Sequence, residues 1–139
     1  MSVLFFNSCC KDEDVPCDDP TNPKCPNYDP CLGKKIPSAD FVMGHDIFNQ
    51  DNEREFAIIN SGVFAGFDIT FRSDSTDSKY KHTWYLGAEV VNEASITRDF
   101  TDVPRPKTLE ISHVIEYEPD TTCFPSDDGK DSIYKTFHL

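Results

Sequence analysis

The sequence predicts an all-β fold, a β-sandwich of about seven strands preceded by an extended tether. From residue 37 onward, apolar residues fall in short alternating runs, the period of a strand with one buried face. The runs are rich in β-branched and aromatic residues and are separated by Gly, Pro, Asn, Asp and Ser clusters. No segment shows a helical period of useful length. These observations together are typical of a small two-sheet domain.

The chain divides into three predicted parts. Residues 1–8 are the remnant of a signal peptide, residues 9–36 a flexible tether, and residues 37–139 the sandwich. The tether has no apolar period, and its prolines favour extended, semi-rigid chain. They are Pro16, Pro20, Pro23, Pro26 and Pro30.

The strands are predicted in order along the sandwich domain. Their ranges are 39–43, 64–71, 80–86, 95–100, 108–117 and 132–139. Residues 53–60 are ambiguous between a strand and a helical turn. Within the second range, Phe67, Ile69 and Phe71 share one face. In the range 108–117, one face carries Leu109, Ile111, Ile115 and Tyr117. In the range 132–139, one face carries Ile133, Phe137 and Leu139.

An apolar run ends at Ser8, and Cys9 and Cys10 follow it directly. A small residue before a thiol suits signal-peptidase cleavage, and acyl chains on that thiol anchor a protein at about 0.8 kcal/mol per buried CH₂. This stretch resembles the processing site of bacterial lipoproteins. The next four residues resemble the surface-export signal of Bacteroidetes lipoproteins: Lys11, Asp12, Glu13 and Asp14.

The resemblance implies a lipid-anchored protein at the outer-membrane surface of a bacterial cell envelope. Cys9 is the expected acceptor because Ser8 precedes it, and Cys10 is the alternative. The apolar run from Val3 to Phe6 is shorter than the usual h-region of about 7–15 residues. We therefore expect the true start to lie upstream. The competing interpretation is a frayed cytosolic terminus with two chance cysteines.

The charge balance excludes two classes of direct partner. Acidic residues outnumber basic ones 25 to 13, which gives a net charge of −12. Nucleic acid and anionic lipid head groups would be repelled. No apolar stretch reaches the 18 or so residues of a membrane span, so membrane attachment is expected to be covalent.

Six cysteines are many for a cytosolic chain and ordinary for an exported one. If Cys9 is lipidated, at least one of the other five is unpaired or joined to another molecule. We predict a disulfide between Cys31 and Cys123 that clasps the start of the domain to its final loop. Cys17, Cys25 and Cys31 lack the tight pairs of structural zinc sites, so no metal site is predicted.

The titratable residues show no catalytic or metal-binding spacing. The four histidines, His45, His82, His113 and His138, lack close metal-ligand spacing. His113 interrupts an apolar face and is interpreted as a rim residue or a hydrogen-bonded core residue. Residues 127–131 could hold Ca²⁺ weakly, but an Asp-Gly hairpin turn is favoured. We therefore predict no cofactor and no enzyme activity.

The run His82-Thr83-Trp84-Tyr85-Leu86-Gly87-Ala88-Glu89 resembles the third strand of polycystic kidney disease (PKD) domains. That family carries Tyr-x-Trp-Asp-Phe-Gly-Asp-Gly. Trp84 and Gly87 match, whereas Leu86 replaces Phe and Tyr85 replaces Asp. Residues 39–41, 67–71 and 108–111 resemble other strands of the family. The resemblance covers most of residues 37–139 and implies an immunoglobulin-like sandwich with Trp84 in the core and a turn at Gly87.

The functional expectation follows from both resemblances. The chain is predicted to be a surface lipoprotein whose non-catalytic PKD-like module serves spacing, adhesion, or binding of an extracellular glycan or protein. Tyr80 and Tyr85 are candidates for a binding face. The alternative is an accessory or N-terminal domain of an exported hydrolase, because PKD domains often accompany such enzymes.

Overall fold

The computed structural model describes residues 17–60, 68–101 and 108–138. The chain divides into two compact units, Met1–Lys34 and Lys35–Leu139. Within the described ranges there is no helix, and all regular structure is β. The all-β prediction is confirmed.

The described residues of the second unit form eight strands, one more than the predicted seven or so. They are β1 (Phe41–Phe48), β2 (Arg54–Ile58), β3 (Asp68–Ser73), β4 (Lys81–Leu86), β5 (Glu89–Val91), β6 (Ser95–Asp99), β7 (Thr108–Glu116) and β8 (Lys130–His138). The ambiguous residues 53–60 provide β2. The sequence analysis missed β5, because three residues are too few to show an alternating period.

The strands make two antiparallel four-stranded sheets. Sheet A has the order β2-β1-β3-β6, and sheet B has the order β5-β4-β7-β8. The chain passes from one sheet to the other after β3, after β5 and after β6. The result is a β-sandwich, as predicted.

The core lies between the inner faces of the two sheets. Sheet A supplies Phe41, Met43, Ile69, Phe71 and Ile96, the segment after β6 supplies Phe100, and sheet B supplies Trp84 and Ile111. The Phe41 and Trp84 rings meet edge to face, with centroids 5.1 Å apart. Such pairs add about 0.5–1.5 kcal/mol to the burial of two large side chains. Trp84 is fully buried, so its predicted core position is confirmed.

Two glycines with positive φ mark the ends of strands in sheet B. Gly87 has φ +61° and turns the chain between β4 and β5, as predicted. Gly129 has φ +75° and precedes β8. Gly129 thus has the positive φ expected of the predicted Asp-Gly turn, which ends a longer loop, residues 117–129, between β7 and β8. A bond from Tyr117 N–H to the Gly129 carbonyl closes this loop at 2.8 Å.

The described part of the first unit, residues 17–34, is a series of turns. A disulfide joins Cys17 to Cys25, with the two Cα atoms 5.2 Å apart. The Asn22 N–H donates to the Asp19 carbonyl, and the Cys25 N–H donates to the Asn22 carbonyl. Sequence spacing alone did not identify this pairing, because six cysteines allow many connectivities.

Candidate functional site

The inner face of sheet B carries a buried histidine beside the core tryptophan. His113 on β7 lies opposite Trp84 on β4, and the two rings stack with centroids 3.9 Å apart. His113 falls in phase with Ile111 and Ile115, and like them it is fully buried. The interpretation of His113 as a hydrogen-bonded core residue is therefore correct.

His113 is one link in a chain of hydrogen bonds that runs across the sheet. Its Nδ1 lies 2.6 Å from the Ala39 carbonyl oxygen, which can only accept, so Nδ1–H donates. Its Nε2 lies 3.2 Å from Nδ1 of His82, and the two imidazole planes are parallel within 1°. In neutral His113, Nε2 carries a lone pair, so His82 Nδ1–H is the donor. The partner on each side thus fixes the tautomer of each ring.

This arrangement leaves one acceptor at the end of the chain. Burial lowers the pKa of His82 and that of His113, which favours the neutral form of both rings. Neutral His82 with a proton on Nδ1 has a bare lone pair on Nε2. Within the described ranges no group donates to that atom, although His82 is only 7% exposed. A buried acceptor without a donor costs about 1–3 kcal/mol, so a donor supplied to this atom would be favourable.

His82 also lines a cleft of about 490 Å³ at the edge of β4. The walls come from the loop between β3 and β4, from the first half of β4, and from residues 92–94 after β5. Pairing with β5 covers β4 only from Trp84 to Leu86, so the stretch from Lys81 to Thr83 is left for the cleft. His82 therefore connects a solvent-facing cleft to the core.

The other end of the histidine chain fixes the start of β1. The N–H of Ala39 donates to Asp131 Oδ2 at 2.7 Å, while its carbonyl accepts from His113. Lys135 pairs with Asp40 and donates to the Phe41 carbonyl at 2.8 Å. Side chains of β7 and β8 thus hold the strand that begins sheet A.

Two middle rows of the outer face of sheet B are uncharged and expose aromatic rings, between Glu110 at one end and Glu116 at the other. Register places Val90, Tyr85, Ser112 and Tyr134 in one row across β5, β4, β7 and β8. The next row contains Thr83, Val114 and Ser132. Tyr85 is 43% exposed and Tyr134 57% exposed. Seven adjacent positions without a charge stand out in a chain of net charge −12.

The outer face of sheet A is covered by its own side chains around Gly44 and Phe56, whereas Phe48 at the end of β1 is exposed. The Phe56 ring lies over Gly44, and the Arg72 guanidinium lies 3.9 Å above the Phe56 ring centroid. Arg54 forms an ion pair with Asp46. The hydroxyls of Thr70 and Thr97 are hydrogen-bonded at 2.8 Å. These polar and aromatic groups already have partners within the sheet.

The structure locates only some of the residues predicted to be functional. The residues of the predicted lipidation and export signal, Cys9, Cys10, Lys11, Asp12, Glu13 and Asp14, lie outside the described ranges. Cys31 and Cys123 are not free thiols, and their mutual pairing stays a prediction. Trp84 and Gly87 are placed as expected, and Leu86 packs against the core.

The two tyrosines proposed as a face separate in the structure. Tyr85 is on the outer face of sheet B, whereas Tyr80 is half-buried and packs against Tyr117 with centroids 5.9 Å apart. Sequence reasoning missed Tyr134, although the phase of Ile133 and Phe137 already predicted that it points outward. It also missed the pairing of His82 with His113, because that contact depends on the register of β4 against β7.

The acidic loop before β8 is organised by hydrogen bonds. Asp127 Oδ1 accepts from the Tyr117 hydroxyl at 2.8 Å and from the Gly129 N–H at 3.0 Å. Burial and the neighbouring Asp127 raise the pKa of Tyr117 to about 12. Among the described residues, no group of three or more His, Cys, Asp or Glu side chains is arranged to hold a metal ion.

Within the same part of the chain, no helix is long and apolar enough to cross a membrane.

No family model, curated protein or solved structure matches the chain.

Proposed function

We propose that this chain is a surface lipoprotein whose sandwich is a non-catalytic module for binding neutral glycans, with the outer face of sheet B as the binding surface. The observation that carries the proposal is the pair of uncharged rows with two exposed tyrosines on a strongly acidic chain. A neutral ligand can lie on the two uncharged rows of this face without desolvating a charged group. An acidic ligand would be repelled by the rest of the molecule.

The spacing of the tyrosines suits an extended chain. Tyr85 and Tyr134 occupy the same row with Ser112 between them, so they are two strand spacings apart, about 9.6 Å. Tyrosine offers a rigid apolar surface with a hydroxyl at its tip, at a low entropy cost. Ser112, Thr83 and Ser132 supply hydroxyls that can donate to or accept from sugar hydroxyls. The face combines stacking and hydrogen bonding without charge.

The strand order supports a PKD-like, immunoglobulin-like identity for the sandwich. In immunoglobulin domains, one sheet contains strands C, F and G, with C′ added beside C in variable-type domains. Sheet B has the equivalent order β5-β4-β7-β8, with its buried tryptophan on β4 at the position of strand C. The β2 strand beside β1 has no counterpart in the seven-stranded scheme.

The anchor part of the proposal depends on the sequence around Cys9. Lipidation of that thiol, followed by the acidic run and the proline-rich segment, would display the sandwich outside the outer membrane. A binding face is useful at that location, because extracellular glycans are within reach.

An array of neutral and acidic oligosaccharides tests the binding surface. We expect the full chain to bind neutral members and the double variant Tyr85→Ala/Tyr134→Ala to lose at least ten-fold in affinity, since each stacked ring contributes about 1 kcal/mol. Phe48→Ala is the matched control, because Phe48 is an exposed aromatic residue of sheet A. Equal binding by the double variant, or binding to acidic glycans alone, would contradict the proposal.

Palmitate labelling tests the anchor. The chain expressed in a bacterium that processes lipoproteins should incorporate label, and Cys9→Ser should abolish it. Label that persists in Cys9→Ser and disappears in Cys10→Ser would move the acceptor to Cys10. The absence of label in the unchanged chain would contradict the lipoprotein proposal and would not affect the glycan proposal.

A further inference from the structure

We propose that the cleft beside β4 is a second binding site, which takes the primary ammonium group of a small amine or a lysine side chain and binds it to Nε2 of His82. This site adjoins the proposed glycan-binding face, and Thr83 belongs to both. The cleft borders the open edge of β4, whereas that face is the outer surface of sheet B. Three features of the site define the chemistry of its ligand: its shape, its buried acceptor and its charge.

The shape follows from the way the chain leaves β5. Residues 92–94 turn away from β4 to reach β6 in the other sheet. The Glu93 carbonyl accepts from the Trp84 indole N–H at 2.6 Å, and the Ala94 carbonyl accepts from the Ser73 N–H at 3.2 Å. These bonds fix one wall of the cleft to both sheets. The cleft volume of about 490 Å³ is in the range of small-molecule sites.

The buried acceptor defines which functional group can bind. Nδ1 and Nε2 lie on opposite sides of the imidazole ring, and Nδ1 of His82 is engaged with His113 on β7. Nε2 therefore points away from β7, to the side of β4 on which residues 92–94 and the cleft lie. Its lone pair requires a donor, so a ligand must bring an N–H or O–H group. A carboxylate or phosphate ligand offers none.

The charge of the walls selects among donors. Asp77, Glu93 and Glu116 line the cleft, against one cation, Lys81. Lys81 lies directly opposite Glu116 in the register of β4 with β7. Arg98 outside the cleft compensates Glu93 only in part, since it also pairs with Glu89, so Asp77 and Glu93 keep a net negative charge. An ammonium group satisfies both requirements, because it donates to Nε2 and compensates the two carboxylates. A neutral hydroxyl satisfies only the first.

Nitrogen-detected NMR on the full chain at pH 7.5 tests this site. The probes are n-butylammonium, the lysine analogue Nα-acetyl-lysine amide, and 1-butanol as the neutral match of the first. We expect both amines to shift the His82 Nε2 resonance in a saturable way, and 1-butanol to shift it less at the same concentration, because it does not compensate the carboxylates. A response to only one amine distinguishes a small-molecule source from a protein side chain and still supports the ammonium site.

Charge-matched variants make the test specific to the cleft. Asp77→Asn and Glu93→Gln should each weaken amine binding by roughly two- to five-fold, the range for solvent-exposed charge pairs. Asp51→Asn removes the same charge from an exposed turn outside the cleft and should change nothing. Three results would each overturn the proposal: an unshifted His82 Nε2 resonance, an equal response to 1-butanol, or equal weakening in Asp51→Asn.

Discussion

The outer faces of the two sheets of this sandwich differ in how they use their aromatic residues. On sheet A, Phe56 lies over Gly44 and beneath the Arg72 guanidinium, so its ring is covered. On sheet B, Tyr85 and Tyr134 are exposed in an uncharged row. The inner faces of both sheets pack against the same core. The difference therefore lies in the partners of each side chain.

This comparison indicates which face is available for recognition. The central side chains on the outer face of sheet A would have to give up existing contacts before they could bind a ligand, including the Arg54 ion pair and the bond between Thr70 and Thr97. The tyrosines of sheet B have no such contacts to give up, as far as the described residues show. Binding on sheet B avoids that cost, which is why we assign the ligand to it.

Trp84 and Tyr85 are neighbours on β4 and test which side of sheet B faces the core. The difference between them in the free energy of unfolding is the largest effect that we expect. Trp84→Ala should lower the free energy of unfolding by about 3–5 kcal/mol, because it removes the largest buried side chain. Tyr85→Ala should change it by less than about 0.5 kcal/mol. Chemical denaturation of both variants measures the difference. Similar losses in the two variants would mean that the outer face is also covered.

Gly44→Ala tests whether the outer face of sheet A is closed. A Cβ atom there would lie 2.4 Å from the Ala57 carbonyl oxygen and 2.6 Å from the Phe56 ring. The backbone contact cannot be relieved by a rotamer change, so we expect a loss of about 1–3 kcal/mol. Ser112→Ala on the outer face of sheet B is the control and should cost less than about 0.5 kcal/mol. A tolerated alanine at position 44 would show that this face is loose.

Acid should lower the free energy of unfolding, because His82 and His113 are buried on the inner face of sheet B. Burial lowers the pKa of His82 and of His113 below the usual 6.5. As the pH falls below about 6.5, the unfolded chain takes up protons that the folded chain excludes, so stability falls by up to about 1.4 kcal/mol per pH unit for each histidine. Thermal unfolding between pH 7.5 and pH 5.5 measures this loss.

Other charged groups near His82 and His113 do not change the sign of this effect. Asp131, which faces His113 from β8, partly opposes the lowered pKa of His113. The pKa of Asp40 is lowered by its bond to Lys135, so its contribution is lost only below about pH 4. His138→Gln, at an exposed position of β8, should leave the pH profile unchanged, whereas His82→Gln should flatten it. A flat profile in the unchanged chain would contradict the buried neutral pair.

The smallest expected effect tests the cover over Phe56. Arg72→Gln removes the guanidinium above the ring and should cost about 0.5–1 kcal/mol. Lys79→Gln, an exposed cation in the loop before β4, should cost nothing measurable. Urea titration at low salt resolves a difference of this size. If neither variant changes the free energy of unfolding, the contact between Arg72 and the Phe56 ring does not stabilise the fold.

Much of the sandwich was predictable because its strands obey a period of two. Ile69, Phe71, Ile111 and Ile115 were assigned to inward faces from alternation alone, and each is buried. The unusual tryptophan and the glycine after it located β4 and its turn. β5 escaped detection because a three-residue edge strand has too few residues to alternate.

The candidate sites were harder to predict because they depend on pairing between distant strands. Tyr85 and Tyr134 are 49 positions apart in the chain, and only the register of β4, β7 and β8 places them in one row. His82 and His113 meet for the same reason. The Cys17–Cys25 bridge could not be chosen from the possible pairings, because loop spacing alone does not determine connectivity.

Mapping the bound oligosaccharide on the full chain tests the central claim most directly. Amide and side-chain resonances are followed while the strongest neutral member of the array is added. The account predicts that saturable shifts concentrate on Val90, Tyr85, Ser112 and Tyr134, while Phe56 and Arg72 stay unchanged. Shifts concentrated on the outer face of sheet A, or none on the row that contains the two tyrosines, would contradict it.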